Sequence, residues 1–196
     1  MKTALLVIDV QKVYTIKESE LYCKQAAETV RRINSIIEKF REENNPIYLI
    51  RHIHKTDGSD LGRMFDFTGE AEEDFNFKEG SEEVDYDDAL LKPSNAVEIV
   101  KNRYSAFEGT KLAKMLEEKG VKRVVICGFM SNFCCESTAR SAHDKDYYVD
   151  FVVDATGTPG TYNFDQKMIR KYLSECMEAG IARVMSTKDC LKENHS

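Results

Sequence analysis

The sequence lacks the short cysteine motifs that would explain its high cysteine count. No two of its six cysteines have the Cys-x-x-Cys spacing of zinc ribbons and thioredoxin-like redox sites. The six are Cys23, Cys127, Cys134, Cys135, Cys176 and Cys190. Without an export signal the default compartment is the reducing cytoplasm, so we expect free thiols, most of them buried as small apolar side chains.

Long hydrophobic runs are also missing. The apolar run at the N-terminus ends at Asp9. Such a run is too short for the core of a signal peptide and far too short to cross a bilayer. The sequence therefore predicts a cytoplasmic protein with no membrane partner.

An excess of basic residues is missing as well. Lys and Arg number 28 against 34 Asp and Glu, which gives a net charge of −6. Nucleic-acid binding calls for a clustered basic face, so we expect no nucleic-acid partner. Repeats, linkers and low-complexity segments are absent too, and the 196 residues fit one domain spanning residues 1–196.

What the sequence does contain is an alternation of strand and helix patterns. Apolar runs predict strands at 4–9, 47–51, 96–101, 122–127, 148–153 and 182–186. Helical periodicity predicts helices at 21–43, 108–119, 134–146 and 162–179. Strands separated by helices favour an α/β fold. We expect a three-layer αβα sandwich with a mostly parallel six-stranded sheet, Rossmann-like, interrupted by an irregular excursion at 55–92.

Three strand ends carry reactive side chains. Asp9 ends the first strand, Lys101 ends the third, and Cys134 follows the fourth at the start of a helix. Ligands of such sheets bind at the carboxyl ends of the strands. A carboxylate can take the proton of a thiol nucleophile, while an ammonium and a helix N-terminus favour the thiolate.

Each of these residues also has an ordinary structural interpretation. An aspartate at a strand end commonly caps a turn, and a lone lysine usually faces solvent. Spacing in the sequence does not establish proximity in the fold, so spacing alone leaves the triad open.

Three segments resemble a known family. ALLVIDVQ, KNRYSAFEGTKL and VVICGFMSNFCCESTARSAHDKDY are similar, in this order, to the signature blocks of the isochorismatase-like cysteine hydrolases, which include nicotinamidases and N-carbamoylsarcosine amidases. The resemblance runs from about residue 4 to 154. It implies a parallel sheet with helices on both faces and a catalytic triad of Asp9, Lys101 and Cys134. Cys134, rather than Cys135, falls on the family's nucleophile.

The resemblance also implies the surroundings of the nucleophile. The family has a cis peptide that corresponds to Phe129–Met130, and the backbone N–H groups of Met130 and Cys134 would form the oxyanion hole. Asn132 departs from the family, which commonly has Asp at this position.

The expected substrate-binding residues are two aromatic ones. Tyr14 matches an aromatic that lines the family's pocket, and Tyr104 lies just after the lysine. An aromatic residue is more often part of the core than a ligand contact, so the packing interpretation stays open for both.

The implied activity is hydrolysis of a C–N bond in a small amide, urea or carbamoyl compound through a cysteine thioester. Two alternatives remain. The first is an isochorismatase-type vinyl ether hydrolase, a reaction for which the family need not have the cysteine. The second is a non-catalytic binding or redox protein on the same fold. We expect no cofactor, and a homo-oligomer (dimer or tetramer) because family members are often oligomeric.

A metal site is a further open question. Nicotinamidases of the family carry a metal near strand two, built on Asp-x-His and further histidines. Here the stretch reads Arg51-His52-Ile53-His54, followed by Asp57 and Asp60. His52 and His54 would share one side of the strand. The acid is missing from its expected place, so we expect no metal.

Asp and Glu are concentrated in the part of the excursion at 66–88. The composition favours a solvated loop face. By resemblance, the excursion could instead cover the pocket or contact a neighbouring subunit.

Overall fold

A single six-stranded sheet organises the described part of the chain. The structure, a computed structural model, describes residues 1–64, 66, 68–69 and 75–195. The strand order is β3-β2-β1-β4-β5-β6, and every neighbouring pair is parallel. The strands are β1 (Thr3–Ile8), β2 (Ile47–His52), β3 (Val97–Lys101), β4 (Arg123–Phe129), β5 (Tyr148–Gly157) and β6 (Arg183–Met185).

Six helices connect and cover these strands. They are α1 (Lys12–Thr15), α2 (Ala26–Glu42), α3 (Leu112–Glu118), α4 (Glu136–His143), α5 (Gln166–Glu178) and α6 (Thr187–Cys190). Connections between parallel strands are right-handed, so the helices on one side of the reversal in strand order at β1 cover one face of the sheet, and the helices on the other side of it cover the other face.

Burial on both faces explains why β1 is apolar throughout. Leu5 and Val7 pack into one hydrophobic cluster with α2 and Cys190 of α6. Ala4, Leu6 and Ile8 pack into a second cluster with α3, α4 and α5. These two clusters make the three layers, and the predicted αβα sandwich is confirmed, with a sheet that is wholly parallel.

Most boundaries differ from the predicted ones by a few residues. The first predicted helix, 21–43, begins at Ala26, because residues 21–25 form turns in which Cys23 N donates to Tyr14 O. The helix predicted at 108–119 begins at Leu112, and the one predicted at 162–179 begins at Gln166, where the Asp165 side chain caps it. The predicted helix 134–146 is divided into a π-helical turn and the short α4.

The strands near the site are longer than predicted. β4 continues through Phe129 and β5 through Gly157, because Gly128 and Phe129 still pair with Thr156 and Gly157 after an irregularity in register. This extension carries the chain directly into the turn that holds Cys134.

Described residues of the excursion at 55–92 pair with the chain that follows the first two strands. His54 bridges to Lys78, Gln11 bridges to Tyr86, and residues Glu82–Val84 form a short 3₁₀ helix. Its acids Glu82 and Asp88 lie 3.0 and 3.5 Å from Lys12 Nζ, and their side chains are 71% and 89% exposed, as expected of a solvated face. Glu70, Glu72, Glu73 and Asp74 lie outside the described residues.

No helix among the described residues is long and apolar enough to span a bilayer. All six cysteines are free thiols, and five of them are buried, whereas Cys176 is half-buried.

Candidate active site

The three reactive side chains predicted at strand ends meet in the structure. Lys101 Nζ lies 2.8 Å from Asp9 Oδ2 and 3.3 Å from Cys134 Sγ. It also donates to the Arg103 carbonyl at 3.0 Å. Neither Asp9 nor Lys101 exposes its side chain, and Cys134 is 2% exposed. The ammonium thus stands between a carboxylate and a thiol in a site from which water is almost excluded.

The backbone at the end of β1 aims Asp9 at this point. Asp9 has a positive φ of 47°, a conformation that aspartate tolerates better than most residues, and its N–H donates to Ile50 O at 3.0 Å. Gly128 of β4 lies directly alongside, with φ +126°. A Cβ at Gly128 would stand 1.9 Å from Ile8 O, so only glycine allows the two strands to approach so closely.

A π-helical turn at Ser131–Cys135 holds the thiol. The peptide bond between Phe129 and Met130 that leads into it is cis, as the family resemblance implies. Ser131 Oγ donates to Thr156 Oγ1 at 2.7 Å, which ties the turn to β5. Cys135 is fully buried behind it, and Cys135 N donates to Met130 O.

Burial and charge act in opposite directions on Asp9 and Lys101. Burial raises the pKa of Asp9, and the attraction of Lys101 only partly offsets it. For Lys101 burial opposes the charged form, but attraction to Asp9 and Cys134 outweighs it and raises the pKa. The lysine is therefore held as an ammonium, and Asp9 is a more basic carboxylate than an exposed one.

Lys101 acts on Cys134 as the sequence predicts, but burial has the larger effect. Burial raises the pKa of the thiol to about 12, whereas the ammonium lowers it. Desolvation of the thiolate therefore exceeds the attraction of one cation that Asp9 already shares. The resting nucleophile is a thiol that needs a base.

The two expected substrate-binding tyrosines differ in exposure. Tyr14 is 1% exposed and stacks on Phe129, with ring centroids 5.5 Å apart. Tyr104 is half-buried, and its ring lies 5.5 Å from that of Phe133, which is 39% exposed. Burial is the first cause that raises the pKa of each tyrosine. Tyr104 packs against the hydrophobic cluster that contains Cys134.

Sequence reasoning missed the support that Gln11 and Phe77 give to the site. The Gln11 side chain accepts from His52 N at 2.8 Å and donates to His52 O and Val84 O, which joins β2 to the excursion. Phe77 stacks on the His52 ring at 4.6 Å. A buried amide directly after an apolar strand was the available signal for Gln11, whereas the Phe77 contact joins residues far apart in sequence.

Histidines 52 and 54 share one side of the strand, and their rings contact each other directly. Their Nε2 atoms lie 2.9 Å apart in a mutual hydrogen bond, and Asp60 approaches the other nitrogen of His54, Nδ1, at 3.4 Å. The donors of Asp9, His52 and Cys134 lie within 4.8 Å of one another, yet the Lys101 ammonium already contacts two of the three. A second cation there would be repelled at short range.

The fold and the site together define a doubly wound α/β protein with a buried carboxylate, ammonium and thiol at its strand ends. A family model described as isochorismatase domain matches residues 3–189. Nicotinamidase 3 of Arabidopsis thaliana is 34% identical over 163 residues, which are 79% of this chain and 73% of the relative.

Solved structures have the same fold. A cysteine hydrolase from Pseudomonas syringae pv. phaseolicola 1448A superimposes with a TM-score of 0.89 at 26% identity, over 97% of this chain and 91% of that one. N-carbamoylsarcosine amidase from Thermoplasma acidophilum superimposes with a TM-score of 0.75 at 24% identity, over 95% and 97% of the two chains. The chain therefore belongs to the isochorismatase family of hydrolases.

Proposed function

We propose that this chain hydrolyses the C–N bond of a small amide, urea or carbamoyl compound, with Asp9, Lys101 and Cys134 as its catalytic triad. The observation that carries the proposal is the position of Lys101 Nζ, 2.8 Å from Asp9 and 3.3 Å from Cys134. This arrangement supplies a nucleophile, a base and a fixed positive charge in one buried site. A nicotinamidase and an amidase among the similar proteins support the same bond class.

Acylation begins from the neutral thiol. Asp9 accepts the proton of Cys134 Sγ as the sulfur attacks the substrate carbonyl, and Lys101 stabilises the sulfur as it becomes negative. The backbone N–H groups of Met130 and Cys134 donate to the resulting oxyanion; removing one such donor typically costs on the order of 100-fold in rate. Asp9 then gives its proton to the leaving nitrogen, and ammonia or a small amine departs.

In deacylation a water molecule takes the place of the departed nitrogen, and Asp9 acts first as a base and then as an acid. A water molecule gives a proton to Asp9 and its oxygen attacks the thioester carbon. The C–S bond breaks, the electron pair returns to Cys134 Sγ, and Asp9 returns the proton to the sulfur. The products are a carboxylic or carbamic acid and the regenerated thiol.

The two alternatives account for fewer of the observed contacts. A vinyl ether hydrolase has no need of a thiol 3.3 Å from a buried ammonium. A redox role would call on Cys134 and Cys135 as a vicinal pair, but both are free, and of the two thiols only Cys134 receives a hydrogen bond from Lys101. The hydrolytic proposal is the one that uses all three triad side chains.

A substrate screen tests the proposal directly. Purified protein is incubated with panels of small amides, ureas and carbamoyl compounds, and ammonia or amine release is measured. The matched controls are Cys134→Ala, which should release none, and Cys135→Ala, which removes the adjacent thiol and should retain release. Equal turnover by wild type and Cys134→Ala on an identified substrate would refute the mechanism.

A cytoplasmic homo-oligomer, a dimer or a tetramer, is part of the proposal. Large apolar side chains are exposed on and just before α5, as expected of a surface that another subunit covers. They are Tyr162, Phe164, Met168 and Tyr172. Sedimentation equilibrium of the purified chain tests this, and a monomer at micromolar concentration contradicts it.

A further inference from the structure

The hydroxyl of Ser131 has no part in the chemistry proposed above, yet it lies at the start of the turn that carries the nucleophile. Ser131 and its partner Thr156 are both 0% exposed. Ser131 Oγ donates to Thr156 Oγ1 at 2.7 Å, and Thr156 Oγ1 donates to Val153 O at 2.9 Å. A hydroxyl has one hydrogen, so the second bond fixes the direction of the first. The turn is therefore attached to β5 by two hydroxyl hydrogen bonds with one defined direction.

This attachment lies next to Met130, whose N–H is one of the two proposed oxyanion donors. Phe129, just before Met130, is the last residue of β4 and pairs with Gly157 of β5. Ser131, just after Met130, bonds to the side chain of Thr156. Met130 thus lies between two attachments to consecutive residues of one strand. A backbone N–H that is held on both sides in this way has little freedom to turn.

The Met130 carbonyl is fixed within the turn itself. It accepts from Phe133 N at 3.2 Å and from Cys135 N at 3.1 Å, the residues on either side of the nucleophile in the sequence. These contacts hold the N–H of Met130 and the sulfur of Cys134 in one turn of fixed shape. Stabilisation of an oxyanion requires donors that are preorganised in this way relative to the attacking atom.

We propose that Ser131 and Thr156 are positioning residues, and that the hydrogen bond between their hydroxyls directs the N–H of Met130 toward the oxyanion. The inference rests on the proposed function and assigns the groups that preorganise its oxyanion hole. In the step concerned, Cys134 Sγ bonds to the carbonyl carbon, the thiol proton passes to Asp9, and the C=O π electron pair moves to the oxygen. Only steps that develop this oxyanion should depend on the hydroxyl pair.

Two reagents that attack the same thiol separate this role from a general structural one. p-Nitrophenyl acetate acetylates Cys134 through a tetrahedral oxyanion and releases p-nitrophenolate. Iodoacetamide alkylates the thiol by displacement of iodide and forms no oxyanion. The rates of acetylation and alkylation at Cys134 are measured separately by mass spectrometry of its peptide, with fragmentation to assign the modified residue.

The variants remove or retain the hydroxyls with small changes in shape. Ser131→Ala and Thr156→Val each break the bond between the two hydroxyls, whereas Thr156→Ser retains it. The matched control is Thr3→Val, which removes the hydroxyl of another buried strand threonine. That hydroxyl donates to Met1 O, at the opposite end of β1 from the triad. Circular dichroism verifies that each variant folds.

The expected result is a loss confined to the reaction that forms an oxyanion. Ser131→Ala and Thr156→Val should slow acetylation roughly 10-fold and leave alkylation at the wild-type rate, because a misdirected donor retains part of the on-the-order-of-100-fold effect of an oxyanion donor. The double variant should be no slower than either single one, since both changes break the same bond. Thr156→Ser and Thr3→Val should match wild type in both reactions.

The failures of the inference and of the proposed function are distinguishable. If Ser131→Ala and Thr156→Val acetylate at the wild-type rate, or lose acetylation and alkylation by the same factor, the hydroxyl pair does not direct the oxyanion donor and the triad stands. Equal losses in Thr156→Ser and Thr156→Val would refute the inference as well, because the hydroxyl would not be the group that matters. If Cys134→Ala is acetylated at the rate of wild type, the nucleophile itself is wrong, and the inference falls with the proposed function.

Discussion

The Lys101 ammonium and the Asp9 carboxylate form an ion pair of 2.8 Å in which neither side chain is exposed. Such a pair contributes little net stability, because desolvation of both charges cancels most of their attraction, but removing one partner leaves the other buried and uncompensated. Net stability therefore does not explain why this ion pair is buried. The contact of the same ammonium with the Cys134 thiol explains it better.

A double-mutant cycle tests whether the pair is coupled in this way. Asp9→Asn alone and Lys101→Met alone should each destabilise the fold by roughly 3–5 kcal/mol, because each leaves a buried charge without its partner. The double variant should lose much less than the sum, and all three should be inactive. Urea unfolding followed by circular dichroism measures the free energies, and strictly additive losses would contradict the coupling.

The raised pKa of the nucleophile predicts a loss of stability in alkali. Cys134 has a pKa of about 12 in the fold, raised by burial, against an ordinary thiol value near 9. Above the unfolded value the unfolded chain releases this proton while the fold retains it, so the stability contribution is lost as the pH rises from about 9 toward 12.

The measurement is the free energy of unfolding against pH for wild type and Cys134→Ala. Wild type should lose stability more steeply than the variant above about pH 9. Near neutral pH the thiol is protonated in both states, and the difference between the two proteins should be constant there. Parallel curves through the alkaline range would show that the Cys134 thiol is not desolvated as the structure has it.

The half-exposed aromatic pair Tyr104 and Phe133 should contribute to substrate binding. Their rings lie 5.5 Å apart next to the nucleophile, and removing one aromatic contact typically costs about 0.5–1.5 kcal/mol beyond the lost area. Tyr104→Ala and Phe133→Ala should raise KM with a smaller change in kcat on an identified substrate. Tyr148→Ala, which removes an exposed tyrosine at the start of β5, is the control. A change confined to kcat would contradict a binding role.

The close approach of β4 to β1 predicts unequal effects of two glycine substitutions. Gly128→Ala would place Cβ 1.9 Å from Ile8 O at a φ of +126°, whereas Gly120→Ala at +65° meets nothing within 4 Å. The second should cost about 1–2 kcal/mol for its left-handed conformation alone. The first should cost several times more and remove activity. Thermal unfolding compares them, and equal losses would contradict the observed strand packing.

The triad residues were predictable because a polar side chain that ends an apolar strand lies at the ligand-binding edge once the strands are parallel. The rule that carboxyl ends share one edge of the sheet brought Asp9, Lys101 and Cys134 together, and the family resemblance then assigned them as a triad. The short helix α1 carries no periodicity within its four residues, so nothing in its sequence distinguishes it from a loop. The desolvation that keeps Cys134 protonated depends on packing by residues distant in sequence, which local patterns do not reveal.

The contacts that cover the site are even harder to predict from local sequence patterns. His54 pairs with Lys78, and Phe77 packs on both His52 and Tyr14, across a segment that shows neither helical nor strand periodicity. The His52–His54 hydrogen bond follows from the spacing of the two residues on one strand face, whereas the approach of Asp60 to His54 depends on how the chain folds around residue 60.

In the proposed mechanism Cys134 carries the acyl group between two half-reactions. Once the amide screen identifies a substrate, the reaction is quenched in acid during turnover, and the intact protein and its peptides are weighed by mass spectrometry. We expect an added mass equal to the substrate's acyl group, located on Cys134 and absent from Cys134→Ala. Full turnover by wild type with the acyl group on another residue, or undiminished turnover by Cys134→Ala, would contradict it.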